Sequence, residues 1–279
     1  MQCYPTDTYH CKCYAMSSKK ITFKDLFSFK WYVHQMSGWT RTSYILLIFG
    51  YLVITYSSFF AGSPINHMTW WTFVAAILGF TTTLAITNAR PLNGVFGLLS
   101  ALIYIAMALQ ANNPADAVLQ AVYIVLLDIP VLIMPGWAMD VEKRIRFIHE
   151  TDARGEKHGK SFWYPVLIGS AIVAFIAAYL FETQVLHTPR PVADSAVLAT
   201  GLVGALLTTF RFSEAFAMWL IQGVAQVLLW GLTAVHGDAN WVLFLTYMLY
   251  VGNDLIGVFQ SSWFHHKVYT QEIIQSHVK

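Results

Sequence analysis

Long apolar runs alternate with short polar ones over most of this chain. The runs are Ser43–Ala61, Thr69–Asn88, Gly94–Gln110, Ala115–Trp137, Phe162–Glu182, Ser195–Phe210, Glu214–Val235 and Trp241–Phe264. About 20 apolar residues carry a helix across the hydrocarbon core, where the backbone must satisfy its own hydrogen bonds. The pattern therefore predicts eight transmembrane helices, the sixth being the shortest. Turn signals separate several of them: Gly62-Ser63-Pro64, Arg90-Pro91-Leu92-Asn93, Asn112-Asn113-Pro114 and His236-Gly237-Asp238. Phe23–Met36 is too polar to span. Its Phe, Leu and Trp content fits either a helix lying in the interface or a plain tether before the first span.

Composition agrees. Of 279 residues, 56% are hydrophobic and 11% charged, whereas a soluble domain carries about 25% charged residues. Residues 43–137 hold three charges, Arg90, Asp116 and Asp128. A soluble protein cannot solvate such a stretch, and an aromatic content of 15% excludes disorder. The net charge of +2 says nothing about nucleic acid, and no nucleic-acid partner is expected. Cys3, Cys11 and Cys13 all precede the apolar body, so disulfides do not hold the fold. Cys11 and Cys13 beside His10 fall short of a four-ligand zinc set, so no metal and no cofactor is expected. Met16 is a second potential start, and residues 1–42 lack the apolar run of a signal peptide.

The charges predict a topology. Six Lys and Arg lie before the first span and six between the fourth and fifth. With the N-terminus in the cytoplasm, sixteen of the seventeen basic residues face inward and Arg190 alone faces outward. Both termini are then cytoplasmic. Trp70, Trp71, Trp230 and Trp241 fall at the outer interface; Trp137, Trp163 and Trp263 fall at the inner one.

Spans two to four resemble spans six to eight. Thr87-Asn88-Ala89-Arg90 and Thr208-Thr209-Phe210-Arg211 end corresponding helices, and Asn93 and Glu214 follow three residues after each Arg. Each unit closes on a helix with an interior Tyr and Asp: Tyr123 and Asp128, then Tyr247, Tyr250 and Asp254. Two three-helix units of like orientation need one linking helix. This 3+1+3 parallel repeat is a transporter plan, with substrate between the units. The divisions are 1–42, a cytoplasmic or interfacial segment; 43–61, an extra first helix; 69–137, the first repeat; 138–161, a basic cytoplasmic loop; 162–182, the linker helix; 195–264, the second repeat; and 265–279, a cytoplasmic tail.

Polar side chains at membrane depth face protein or a water-filled cavity. Gln222 and Gln226 share one face of the seventh span with Trp219 and Trp230. Such a stripe suits a flat ligand, the indole stacking and the amides reading donors and acceptors. The same amides serve equally to join helices, and Trp230 also fits the aromatic belt. Span eight adds Thr246, Tyr247, Tyr250, Asn253 and Asp254. Span four adds Gln120 and Tyr123, with Asp128 turned about 80 to 140° away at 100° per residue. Pro130 and Pro135 can break the helix below it. Span three adds Ser100 and Tyr104. Asn88 is either a C-cap or a ligand, and Asp128 and Asp254 are either coupling or structural carboxylates. No basic residue lies at depth. A phosphorylated substrate is disfavoured; a neutral or cationic, planar, hydroxylated molecule such as a nucleoside fits. The ten histidines form no nucleophile, metal or base set, so an enzyme is not expected.

Over spans two to eight the chain resembles the PnuC-type vitamin transporters. Asn93-Gly94-Val95-Phe96-Gly97-Leu98-Leu99-Ser100 is similar to that family's aromatic-Phe-Gly-Leu-Ile stretch. Leu119-Gln120-Ala121-Val122-Tyr123 is similar to its Leu-Gln-x-x-aromatic stretch, Gly136-Trp137 to its Gly-Trp, and Tyr247 with Gly257 to its last helix. Glu214-Ala215-Phe216-Ala217-Met218-Trp219 is similar to its Glu-Asn-Trp-x-x-Trp motif, of which only Glu214 and Trp219 carry over. The stretch Asp128 to Trp137 also departs from the pattern, and the first span has no counterpart in seven-helix members. The resemblance implies an all-α fold like a full-length SWEET transporter and a homotrimer in the bacterial inner membrane. It implies uptake of nicotinamide riboside, a vitamin B3 precursor of NAD, by facilitated diffusion, with a cytosolic kinase trapping it as the phosphate. Related members are linked to thiamine, riboflavin or deoxynucleosides. In this frame Trp219 stacks on the substrate, and Gln222, Gln226, Gln120 and Asn253 hydrogen-bond to it. Asn88, Tyr123 and Tyr250 are further candidates.

Overall fold

The computed structural model describes residues 2–3, 13–14, 25–61, 65–110, 114–134, 145–149, 160–188, 190–235 and 241–261. Eight helices are long and apolar enough to cross a membrane. They are Arg41–Phe59, His67–Thr87, Leu92–Gln110, Pro114–Ile133, Lys160–Leu186, Pro191–Thr209, Ala215–Leu232 and Trp241–Gln260. A two-residue strand pair, Gln2–Cys3 with Cys13–Tyr14, precedes them. His10, Cys11, Trp137, Trp263 and the rest of residues 135–144 lie outside the described residues.

Helix boundaries follow local chemistry. Asn66 and Thr69 form a reciprocal capping box at the start of the second span. Thr40 caps the first. The sixth span begins at Pro191, four residues before the apolar run, and with 19 residues is as long as the first and third. Proline is pre-set for the first helical turn, and Asp194 in that turn meets the positive end of the helix dipole. The short helix expected near Phe23–Met36 is Phe29–Gln35. Its Tyr32 ring stacks on Phe96 of the third span at 5.8 Å, and Phe27 and Phe29 are exposed.

The second and sixth spans end alike. Ala89 and Arg211 adopt left-handed backbone, with φ of 53° and 63°. The Ala89 and Arg90 amides donate to Ile86 and Ala85 carbonyls; the Arg211 and Phe212 amides donate to Thr208 and Leu207. Both ends are Schellman motifs. This corrects the register read from sequence: Ala89, not Arg90, corresponds to Arg211, because the left-handed residue fixes the turn.

The second span packs on the third, the third on the fourth, the fifth on the sixth, the sixth on the seventh and the seventh on the eighth. Cross-contacts close the bundle: the eighth span lies against the first and second, and the fourth against the sixth. Glycines permit the two crossings. A Cβ on Gly79 would stand 2.5 Å from the Tyr250 hydroxyl; one on Gly201 would stand 2.5 Å from the Tyr123 hydroxyl. Gly79 and Gly201 keep the same spacing as Ala89 and Arg211, and each crossing seats a tyrosine of another span on a bare backbone.

Candidate functional site

A cavity lies beside these crossings, about midway along the spans. Its lining includes Thr82, Thr83, Ser100, Tyr104, Gln120, Tyr123, Asp128, Trp219, Gln222, Tyr247, Tyr250, Asn253 and Asp254. Six of the eight sequence-predicted binding residues therefore come together there: Trp219, Gln222, Gln120, Asn253, Tyr123 and Tyr250.

Two do not. Asn88 closes the second span: its side chain donates to Leu84 O at 2.8 Å and Ser43 Oγ at 2.9 Å and accepts from Thr40 N at 3.2 Å. It joins the first span to the second. Gln226 is 1% exposed and lies off the cavity, one turn beyond Gln222, with neither amide atom hydrogen-bonded to a described residue. Trp230 packs against Tyr104 and Leu243 rather than lining the cavity.

Asp128 corrects the sequence geometry. It faces the same cavity as Gln120 and Tyr123 because Ile124–Asp128 is a π-helical turn. An i→i+5 turn holds one residue more than an α turn, which returns the following side chain by roughly 100°. Pro130 explains part of the distortion. It has no N–H for the Leu126 carbonyl four residues earlier. Thr209 Oγ1 of the sixth span donates to that carbonyl instead.

The polar groups divide into engaged and free. Asn253 donates to Thr83 O at 3.3 Å and accepts from Thr87 Oγ1 at 2.9 Å, clamping the eighth span to the second. Gln222 donates to the Tyr123 hydroxyl. Trp219 Nε1 donates to Thr208 Oγ1 at 2.9 Å, which fixes the indole, and its ring meets Tyr123 edge-on at 5.6 Å. The Gln120 amide, 8% exposed, makes no hydrogen bond to any described residue and borders the cavity.

Sequence reasoning missed Thr82 and Thr83. Their signal was the run Thr81-Thr82-Thr83 at mid-span. Each hydroxyl donates to its own helix, as Thr82 does to Leu78 O at 2.9 Å, so threonine in a membrane helix reads as bland.

A bundle of membrane-spanning helices around a pocket of amides, phenols and indole is the architecture of a solute transporter. Residues 69–265 match the sequence model of the nicotinamide mononucleotide transporter family, and the chain belongs to that family. It is a multi-pass membrane transporter and not an enzyme. The first span lies outside the matched residues. The chain is similar to the nicotinamide riboside transporter PnuC of Neisseria mucosa, 22% identical over 240 residues, covering 83% of this chain and 85% of that one. Its fold is similar to the crystal structure of the vitamin B3 transporter PnuC, with a TM-score of 0.64 and 17% identity over 90% of this chain and 99% of that one.

Proposed function

We propose that the protein takes up nicotinamide riboside by facilitated diffusion across a bacterial inner membrane. The observation that carries this reading is the cavity's inventory: a fixed indole, a free Gln120 amide, several hydroxyls, and no Lys, Arg or His. A phosphate dianion in a low-dielectric pocket needs a cation or a nest of N–H donors. The described lining offers no cation, so the riboside fits and the mononucleotide does not. The names of the similar proteins point the same way. In this account Trp219 stacks on the pyridine ring, Gln120 and Gln222 read its carboxamide, and Tyr123, Tyr250 and Asn253 complete the wall. A cytosolic kinase then traps the riboside as an anion that the cavity rejects.

The architecture proposed with it is a pair of three-helix repeats, 69–137 and 195–264, related as in SWEET transporters and joined by the linker helix 162–182. The paired Schellman ends and the Gly79 and Gly201 crossings support this pseudo-symmetry. Residues 1–42 are cytoplasmic or interfacial, 138–161 and 265–279 are cytoplasmic, 43–61 is an added helix, and three copies assemble into a homotrimer.

Calorimetric titration of the purified protein with nicotinamide riboside, its mononucleotide, thiamine, riboflavin and deoxynucleosides tests the substrate. Binding of the riboside alone is expected. Binding of thiamine without the riboside overturns the assignment.

A further inference from the structure

Two carboxylates have no part in the transport described so far. Asp128 and Asp254, 2% and 6% exposed, both line the cavity. Neither is ion-paired among the described residues. Space is reserved for the first: any Cβ on Gly97 of the third span would collide with Asp128 Oδ1. The π-helical turn aims the same carboxylate inward. The rings of Tyr104, Tyr123, Trp219, Tyr247 and Tyr250 line the same cavity. Electron-rich faces attract cations, and such cages are how proteins hold permanently charged ring or ammonium groups. Carboxylates, aromatic faces and no base make this cavity a receptor for positive charge.

We propose that Asp128 and Asp254 supply the counter-charge for a ligand with a permanent, ring-delocalised positive charge, and so select a cationic pyridinium nucleoside over a neutral one of the same shape. The inference rests on the riboside reading, since the pyridinium nitrogen of nicotinamide riboside carries that charge. An unpaired cation at membrane depth is costly. A carboxylate in the same pocket offsets the cost and leaves the carboxamide and ribose to be read by uncharged groups.

The test compares nicotinamide riboside with 3-carbamoylphenyl riboside, the planar isostere in which carbon replaces the charged nitrogen. Calorimetry on the detergent-solubilised full chain is expected to show the cation bound at least tenfold more tightly. Asp128→Asn and Asp254→Asn, with unfolding temperatures recorded alongside, are each expected to reduce that ratio to less than threefold. Equal binding of the two ligands by the unaltered protein overturns the proposal and needs no variant. So does a folded Asp128→Asn, Asp254→Asn double variant that keeps the full preference. Failure of the substrate reading looks different: neither riboside binds, while another vitamin does.

Discussion

The Thr209 hydroxyl of the sixth span donates to the Leu126 carbonyl of the fourth, whose donor four residues on, Pro130, has no N–H. A carbonyl left unpaired inside a bilayer costs several kcal/mol in principle. Thr209→Val keeps the shape and removes the donor. It should lower unfolding stability by about 1–3 kcal/mol, seen as a reduced melting temperature in detergent, whereas Thr209→Ser should melt near the unaltered protein. Identical melting of the Val variant would show that the π-helical turn stands without this bond.

Trp219 is held from one side by Thr208 and faces Tyr123 on another. Trp219→Ala removes the stacking surface and should weaken riboside binding by roughly 1–3 kcal/mol, the range seen for bases on aromatic side chains. Trp219→Phe keeps a ring but loses the bond to Thr208, so its affinity should fall between the two. Unchanged calorimetric affinity in the Ala variant would make the indole a packing residue.

How much of this was legible in the sequence depends on the kind of signal. The eight spans were, because hydropathy over twenty residues is a strong and redundant signal. Gln120, Tyr123, Trp219 and Gln222 were, because amides and large aromatics at membrane depth demand explanation. The side of Asp128 was not, since constant 100° stepping cannot register an inserted π-helical turn. Nor was the fate of Asn88, whose amide suits a cap as well as a ligand until Ser43 and Thr40 are seen beside it. Gln226 shares a helical face with Gln222 yet misses the cavity, because a stripe on one helix does not say where the neighbouring helix ends its contact.

Glu214 is the motif residue that sequence left without a task. Its carboxylate accepts the Ile148 amide at 3.1 and 3.2 Å, while the Arg146 carbonyl accepts from Ser213 N at 3.0 Å. The basic loop is thereby tied to the turn between the sixth and seventh spans. Glu214→Ala should speed hydrogen exchange at Ile148 by about tenfold or more, as expected for losing a bond to a charged acceptor. Glu214→Gln retains an acceptor and should show a smaller effect. Equal protection in the Ala variant would place the loop's anchor elsewhere.

The native cysteines, Cys3, Cys11 and Cys13, all precede the first span. They report topology without any substitution. With the N-terminus inside, a membrane-impermeant maleimide should leave intact cells' protein unlabelled and modify it after permeabilisation. Labelling of intact cells would invert the orientation read from the basic residues.

A cationic substrate carried alone moves charge, and that fixes the energetics of transport. An inside-negative potential of 100 mV is worth about 2.3 kcal/mol per elementary charge, which corresponds to roughly 40- to 50-fold accumulation at equilibrium. Proteoliposomes clamped at that potential should therefore concentrate nicotinamide riboside by about this factor. Collapsing a pH or sodium gradient at fixed potential should change nothing. If either carboxylate instead exchanged a proton for each riboside, the cycle would be electroneutral. Accumulation would then follow the pH gradient and ignore the voltage, and Asp128 and Asp254 would be coupling groups rather than fixed counter-charges. The two outcomes differ in which gradient drives accumulation, so a single vesicle experiment with voltage and pH varied independently separates them.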